Sequence, residues 1–219
     1  MGLYVSHHAA TPLLRDLFGL FVRLYVRPKV TGIEHIPKSG PWILASNHAS
    51  HADTAVLFSA IPDELKKRLL AAAAQDYFFV GGLRQSAARI LFNAIPVERE
   101  SPGRRDPLRH VSRALREGYA VLIYPEGTRS RTGKIGTFRP GIGRLIAQFP
   151  NTPVIPALLE GTDAVMPKGH SVPLPRSVRV SFGPPLYLEA SLRQRSSWQE
   201  ATNAVRAAVL ALQEQPQEA

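Results

Sequence analysis

Lys38-Ser39-Gly40-Pro41-Trp42-Ile43-Leu44-Ala45-Ser46-Asn47-His48-Ala49-Ser50-His51-Ala52-Asp53 is the stretch on which the reading of this chain turns. Turn-forming residues lead into Trp42 to Ser46, a short apolar run without the alternation of a half-exposed strand. It therefore reads as a buried strand. A polar loop follows, and Ala52 to Ala60 reads as a helix ended by Pro62. Strand, loop and helix in that order are the unit of a layered α/β sheet, in which ligands bind at the carboxyl ends of strands.

Working outward, the pattern repeats. Pro107 to Glu117 predicts a helix stopped by Gly118, and Ala120 to Tyr124 a strand. Gly141 to Phe149 reads as a helix, Val154 to Leu159 and Val178 to Phe182 as strands, and Ser197 to Gln213 as a closing helix. Leu69 to Ala74 fits either a helix or a strand, and Ile90 to Val97 is broken by Pro96. The fold class that follows is α/β: a mixed, largely parallel central sheet with helices on both faces. Before it, Thr11 to Arg27 predicts an amphipathic helix, with Leu13, Leu14, Leu17, Phe18, Leu20, Phe21, Val22, Leu24 and Tyr25 on an arc of about 200° and Arg15, Asp16, Arg23 and Arg27 on the rest. Residues 1–28 form this N-terminal helix, a candidate membrane-interface anchor, 29–213 the main domain, and 214–219 a frayed tail.

Composition narrows the chemistry. The 219 residues include no cysteine, which excludes disulfides, thiolate metal sites and a cysteine nucleophile. The longest stretch free of charge, Leu145 to Leu159, is 15 residues long, short of the roughly 20 that a spanning helix needs. No secretory signal is legible at the N-terminus. Of the formal charge of +10, the segment Arg84 to Arg144 holds +8, with 12 Arg to 1 Lys. The planar guanidinium suits phosphate, so an anionic partner is implied.

Two loops carry the candidate chemistry. In the first, His48 and Asp53 cannot touch on one regular helix, because five residues separate them by about 140°. They can meet if His48 lies in the loop and Asp53 in the first helical turn. Ser50-x-x-Asp53 fits a capping box that would put them there. An imidazole oriented by a carboxylate can take a proton from a hydroxyl; a capping role for Asp53 alone is the plainer alternative. A metal cluster of His48, His51 and Asp53 is disfavoured, since His7, His8, His35, His110 and His170 form no second group. The second loop, Tyr124-Pro125-Glu126-Gly127-Thr128-Arg129-Ser130, again follows a strand. Gly127 allows close backbone approach, Arg129 can grip phosphate, and Glu126 can accept from hydroxyls.

Together these loops resemble the 1-acylglycerol-3-phosphate acyltransferases and related glycerolipid acyltransferases. Asn47, His48 and Asp53 match the family's first block, Asn-His-x4-Asp, and Tyr124 to Ser130 its third, with Tyr124 where Phe is usual. Ile95 to Arg99 resembles the second block, Val154 to Ala157 the fourth, and Val30 to Pro37 the segment before the first. The resemblance implies acyl transfer from acyl-CoA or acyl carrier protein, with no other cofactor and no metal, to the hydroxyl of a lysophosphatidate-like lipid. His48 would be the general base with Asp53 behind it, Arg99 and Arg129 would meet the acceptor phosphate, and Glu126, Gly127 and Thr128 would shape the acceptor site. The family's usual transmembrane anchors are missing, which implies a peripheral protein on the cytoplasmic side of an anionic membrane. With neither a cysteine nor a Gly-x-Ser-x-Gly elbow, direct attack by the acceptor hydroxyl needs only a base.

Other readings fit less. Nucleic acid would use the same basic segment, but it leaves His48 and Asp53 unexplained, and aromatic residues are sparse between Arg99 and Arg116. A metal-dependent phosphohydrolase, or a non-catalytic lipid-binding relative, are the remaining alternatives.

Overall fold

The computed structural model describes residues 10–74, 86, 90–98, 106–130, 133–166 and 172–214. Within them the buried run predicted at Trp42 to Ser46 becomes β2 (Ile43–Ser46), the middle strand of a seven-stranded sheet. The other strands are β1 (Lys29–Thr31), β3 (Leu69–Ala74), β4 (Ile95–Val97), β5 (Ala120–Ile123), β6 (Val154–Glu160) and β7 (Arg179–Phe182). Their order is β1-β7-β6-β2-β5-β3-β4. The five strands from β6 to β4 run parallel, whereas β7 is antiparallel to β6 and carries β1 parallel to itself at the edge.

Successive side chains of a strand point to opposite faces, and the core divides accordingly. Leu44, Leu122 and Ile155 face one side, where helices α1 (Ala10–Val26) and α2 (Asp53–Ala60) pack. Ile43, Val121 and Val154 face the other, covered by α4 (Arg109–Arg116), α5 (Gly141–Gln148) and α7 (Arg195–Ala211). The described residues also include two one-turn helices, α3 (Asp63–Lys66) and α6 (Thr162–Val165). The mixed, largely parallel sheet with helices on both faces is therefore as the sequence predicts.

Two local readings change. Leu69 to Ala74 resolves to strand: its alanines favour helix, but pairing with β5 on one side and β4 on the other outweighs that weak preference. Strand β1 has no apolar signal and is exposed throughout; long-range backbone pairing makes it, beginning with the Lys29 amide on the Val178 carbonyl at 2.8 Å. Of the tail at 214–219, all but Glu214 lies outside the described residues.

Helix α1 departs most from expectation. Its apolar arc serves two environments. Val22 and Val26 are buried and Phe18 packs edge-on against Phe92 at 5.9 Å, whereas Leu13, Leu14, Leu17, Leu20, Phe21 and Leu24 are each between 51% and 64% exposed. Part of the charged arc turns inward: Arg15 is buried, and Arg23 donates through Nε and Nη2 to the Ser59 carbonyl at 3.0 and 2.6 Å. That carbonyl lies in the last turn of α2, where a helix leaves its C=O groups without intrahelical partners. No helix among the described residues is long and apolar enough to cross a membrane.

Candidate active site

The end of β2 is fixed before any chemistry begins. Asn47 is buried, and its amide donates to the Leu159 carbonyl at 2.9 Å while its Oδ1 accepts the Leu159 amide at 2.8 Å. A side chain thus continues the strand pairing with β6 for one more rung. The chain then leaves the sheet with His48 in the loop and Asp53 opening α2, the arrangement that lets residues five apart meet.

They do meet. His48 Nδ1 lies 2.7 Å from Asp53 Oδ2. A carboxylate only accepts, so Nδ1 carries the hydrogen and Nε2 presents its lone pair. Asp53 is fully buried, and the same Oδ2 accepts the amides of Ala49 at 2.7 Å and Ser50 at 2.9 Å. Ser50 Oγ accepts the Ala52 amide at 3.2 Å rather than that of Asp53. Only the Asp53-to-Ser50 half of the expected capping box therefore forms, in the turn before a helix whose N-cap position is Ala52. Capping and orienting are one arrangement here, because a single buried oxygen holds both the turn and the imidazole.

The opposite wall comes from the loop after β5. The Tyr124 ring stacks on His48 with centroids 4.1 Å apart and planes 13° from parallel. Its hydroxyl lies 3.0 Å from Thr54 Oγ1. Burial, and next the nearby Asp53 carboxylate, push the Tyr124 phenol well above its ordinary range against the Thr54 hydrogen bond, so it stays protonated. The sequence shows only a Tyr for Phe exchange; that its ring covers the imidazole depends on β2 and β5 being neighbours.

Beyond this wall an open cavity of about 570 Å³ is lined by Glu126, Thr128, Arg129, Ser130, Lys134 to Arg139 and Pro140. Three cations, Arg129, Lys134 and Arg139, share it and are exposed. Gly127 has φ +73°, a backbone conformation that favours glycine, and a Cβ there would press on the Arg139 side chain, 2.7 Å from its Nε. The structure brings His48, Asp53, Glu126, Gly127, Thr128 and Arg129 into one region; Arg99 lies outside the described residues. Lys134 and Arg139 are additions, and their only signal in sequence is proximity to the second loop. Elsewhere in the basic segment, Arg109 pairs with Glu98, Arg113 with Glu117 at 2.8 Å and Arg144 with Asp106 at 2.9 Å. Arg109 and Arg113 are thus engaged locally, while Arg104 and Arg105 lie outside the described residues.

Comparison with known proteins gives the chain its relatives. A 1-acyl-sn-glycerol-3-phosphate acyltransferase of Pseudomonas aeruginosa is 30% identical over 192 residues, covering 82% of this chain and 70% of that protein. The chloroplastic enzyme BAT2 of Brassica napus is 28% identical over 172 residues, which is 74% of this chain but 46% of its own length. The chain thus spans about half of that plant relative. The crystal structure of PlsC, the 1-acyl-sn-glycerophosphate acyltransferase of Thermotoga maritima, has the same fold, with a TM-score of 0.68 over 95% of this chain and 81% of that one at 23% identity. The model of the Acyltransferase family matches residues 27–160, a span that runs from β1 to the end of β6 and takes in both loops. By that match, the chain belongs to the acyltransferase family.

Proposed function

We propose that this chain transfers a fatty acyl group from acyl-CoA or acyl carrier protein to the free hydroxyl of a lysophosphatidate-like glycerolipid. The observation that carries the reading is the 2.7 Å pairing of His48 Nδ1 with a fully buried Asp53. It leaves Nε2 free to act as a base, on a histidine whose backbone is hydrogen-bonded to the loop that lines the cationic cavity. The acceptor oxygen attacks the thioester carbonyl carbon and its proton passes to Nε2. The tetrahedral oxyanion then collapses, the C–S bond breaks, and the thiolate leaves with the proton returned from the imidazolium. The Asp53 charge favours the imidazolium in between.

Arg129, Lys134 and Arg139 are the cations for the acceptor phosphate, with Thr128 in the cavity wall, and Gly127 and Arg99 assigned by motif alone. The resemblance and the relatives' names both support a lysophosphatidate acceptor. A purified chain given lysophosphatidate with acyl-CoA or with acyl carrier protein tests the reaction and separates the two donors. Hydrogen bonds to charged groups are worth about 1.5–3 kcal/mol, so Arg129→Ala is expected to raise the acceptor KM roughly tenfold or more and leave the donor KM unchanged. An equal effect on a phosphate-free monoacylglycerol would assign Arg129 to structure instead.

Acceptors of this class reside in bilayers, and the outward leucines of α1 offer a face that can enter one. We infer that the protein works at the cytoplasmic surface of an anionic membrane, where basic residues would add about 1 kcal/mol each. Leu17→Ser with Phe21→Ser is expected to abolish co-sedimentation with anionic vesicles and leave the melting temperature unchanged. Phe18→Ser should do the reverse, because that ring packs inward on Phe92. A fall in melting temperature with unaltered vesicle binding by the Leu17/Phe21 pair would return α1 to a purely structural role.

A further inference from the structure

Glu126 is 8% exposed, and both its carboxylate oxygens are engaged by backbone amides. Oε1 accepts from His48 N–H at 2.8 Å and Oε2 from Gly136 N–H at 3.0 Å. The same loop holds the other side of the histidine, since the Ser130 amide donates to the His48 carbonyl at 2.7 Å. Gly136 is in turn fixed from behind by α7, whose Arg206 Nε donates to its carbonyl at 2.8 Å. A continuous chain of hydrogen bonds therefore runs from α7 through Gly136 and Glu126 to the backbone of His48.

We propose that Glu126 is a positioning residue for His48: its carboxylate sets where the backbone that carries the imidazole stands, and it does not bind the acceptor. This rests on the reading of His48 as the base. A carboxylate suits the task because it offers two acceptors and no donor to two facing amides. Glutamine cannot do the same, since its NH2 would oppose one of those N–H groups. A misplacement of about 1 Å costs on the order of 100-fold in rate, so small shifts of this strut should be read out as turnover.

The test uses the full chain with lysophosphatidate and acyl-CoA. Glu126→Gln is expected to lower kcat roughly 10- to 100-fold and leave the acceptor KM within about twofold. Gly136→Ala approaches the strut from its far end: the three atoms nearest to a Cβ there all belong to Glu126, beginning with Oε2 at 2.9 Å. It too should lower kcat and spare KM. Introduced into a Glu126→Ala background, where nothing remains to be pushed, it should have no further effect on kcat. A tenfold rise in acceptor KM with kcat preserved in Glu126→Gln would make Glu126 a ligand and overturn the proposal. So would a Gly136→Ala effect that persists in the Glu126→Ala background, and if Glu126→Gln fails to fold this pair decides alone. Normal turnover by His48→Ala removes the base and the strut together; an inactive His48→Ala beside unchanged kcat in Glu126→Gln removes only the strut.

Discussion

Replacing His48 with alanine is expected to lower kcat for acyl transfer roughly 10²- to 10⁴-fold, the usual cost of losing a general base, with the melting temperature almost unchanged. The side chain is 18% exposed and makes one hydrogen bond, to Asp53. Once it is gone, Asp53 Oδ2 still accepts the Ala49 and Ser50 amides, so the turn into α2 survives. Thermal unfolding and steady-state kinetics on the same preparation check both halves. Wild-type turnover by a folded His48→Ala protein would end the proposed mechanism.

Asp53→Ala is expected to damage activity and stability together, and that contrast separates the two partners. A lost helix cap costs about 0.5–2 kcal/mol, and a buried amide left without a partner about 1–3 kcal/mol. A combined loss of about 3 kcal/mol in a chain of this size lowers the melting temperature by about 6–12 °C. Asp53→Asn keeps an oxygen for the two amides but removes the charge that favours imidazolium, so it should melt much closer to wild type and still lose most of its turnover. If Asp53→Asn matches wild-type kcat, the carboxylate is a cap and nothing more.

The parallel core was legible because strands buried on both faces are written as short unbroken apolar runs. Trp42 to Ser46, Ala120 to Tyr124 and Val154 to Leu159 each become a central strand of the sheet. The edge was not legible, since all three residues of Lys29–Thr31 are exposed and long-range pairing with β7 holds them. The outer face of α1 was hidden for a related reason. Periodicity says how wide an apolar arc is, not which part of it the domain will cover, and here the domain takes Phe18, Val22 and Val26 and leaves the leucines.

For the candidate site, the sequence by itself determined the residue types and the local geometry: a histidine in a loop, a carboxylate in the first helical turn, and a capping pattern that can join them. Spacing is enough for that, because backbone geometry fixes what residues within one turn can reach. What only the tertiary structure decided is everything that depends on two distant segments being neighbours. The Tyr124 ring on His48 and the Glu126 strut to its backbone follow from β2 lying beside β5, whereas Arg129, Lys134 and Arg139 meet around one cavity through the folding of the single segment after β5. Strand order is set by how the whole chain buries its apolar faces, and no stretch of residues carries that information alone.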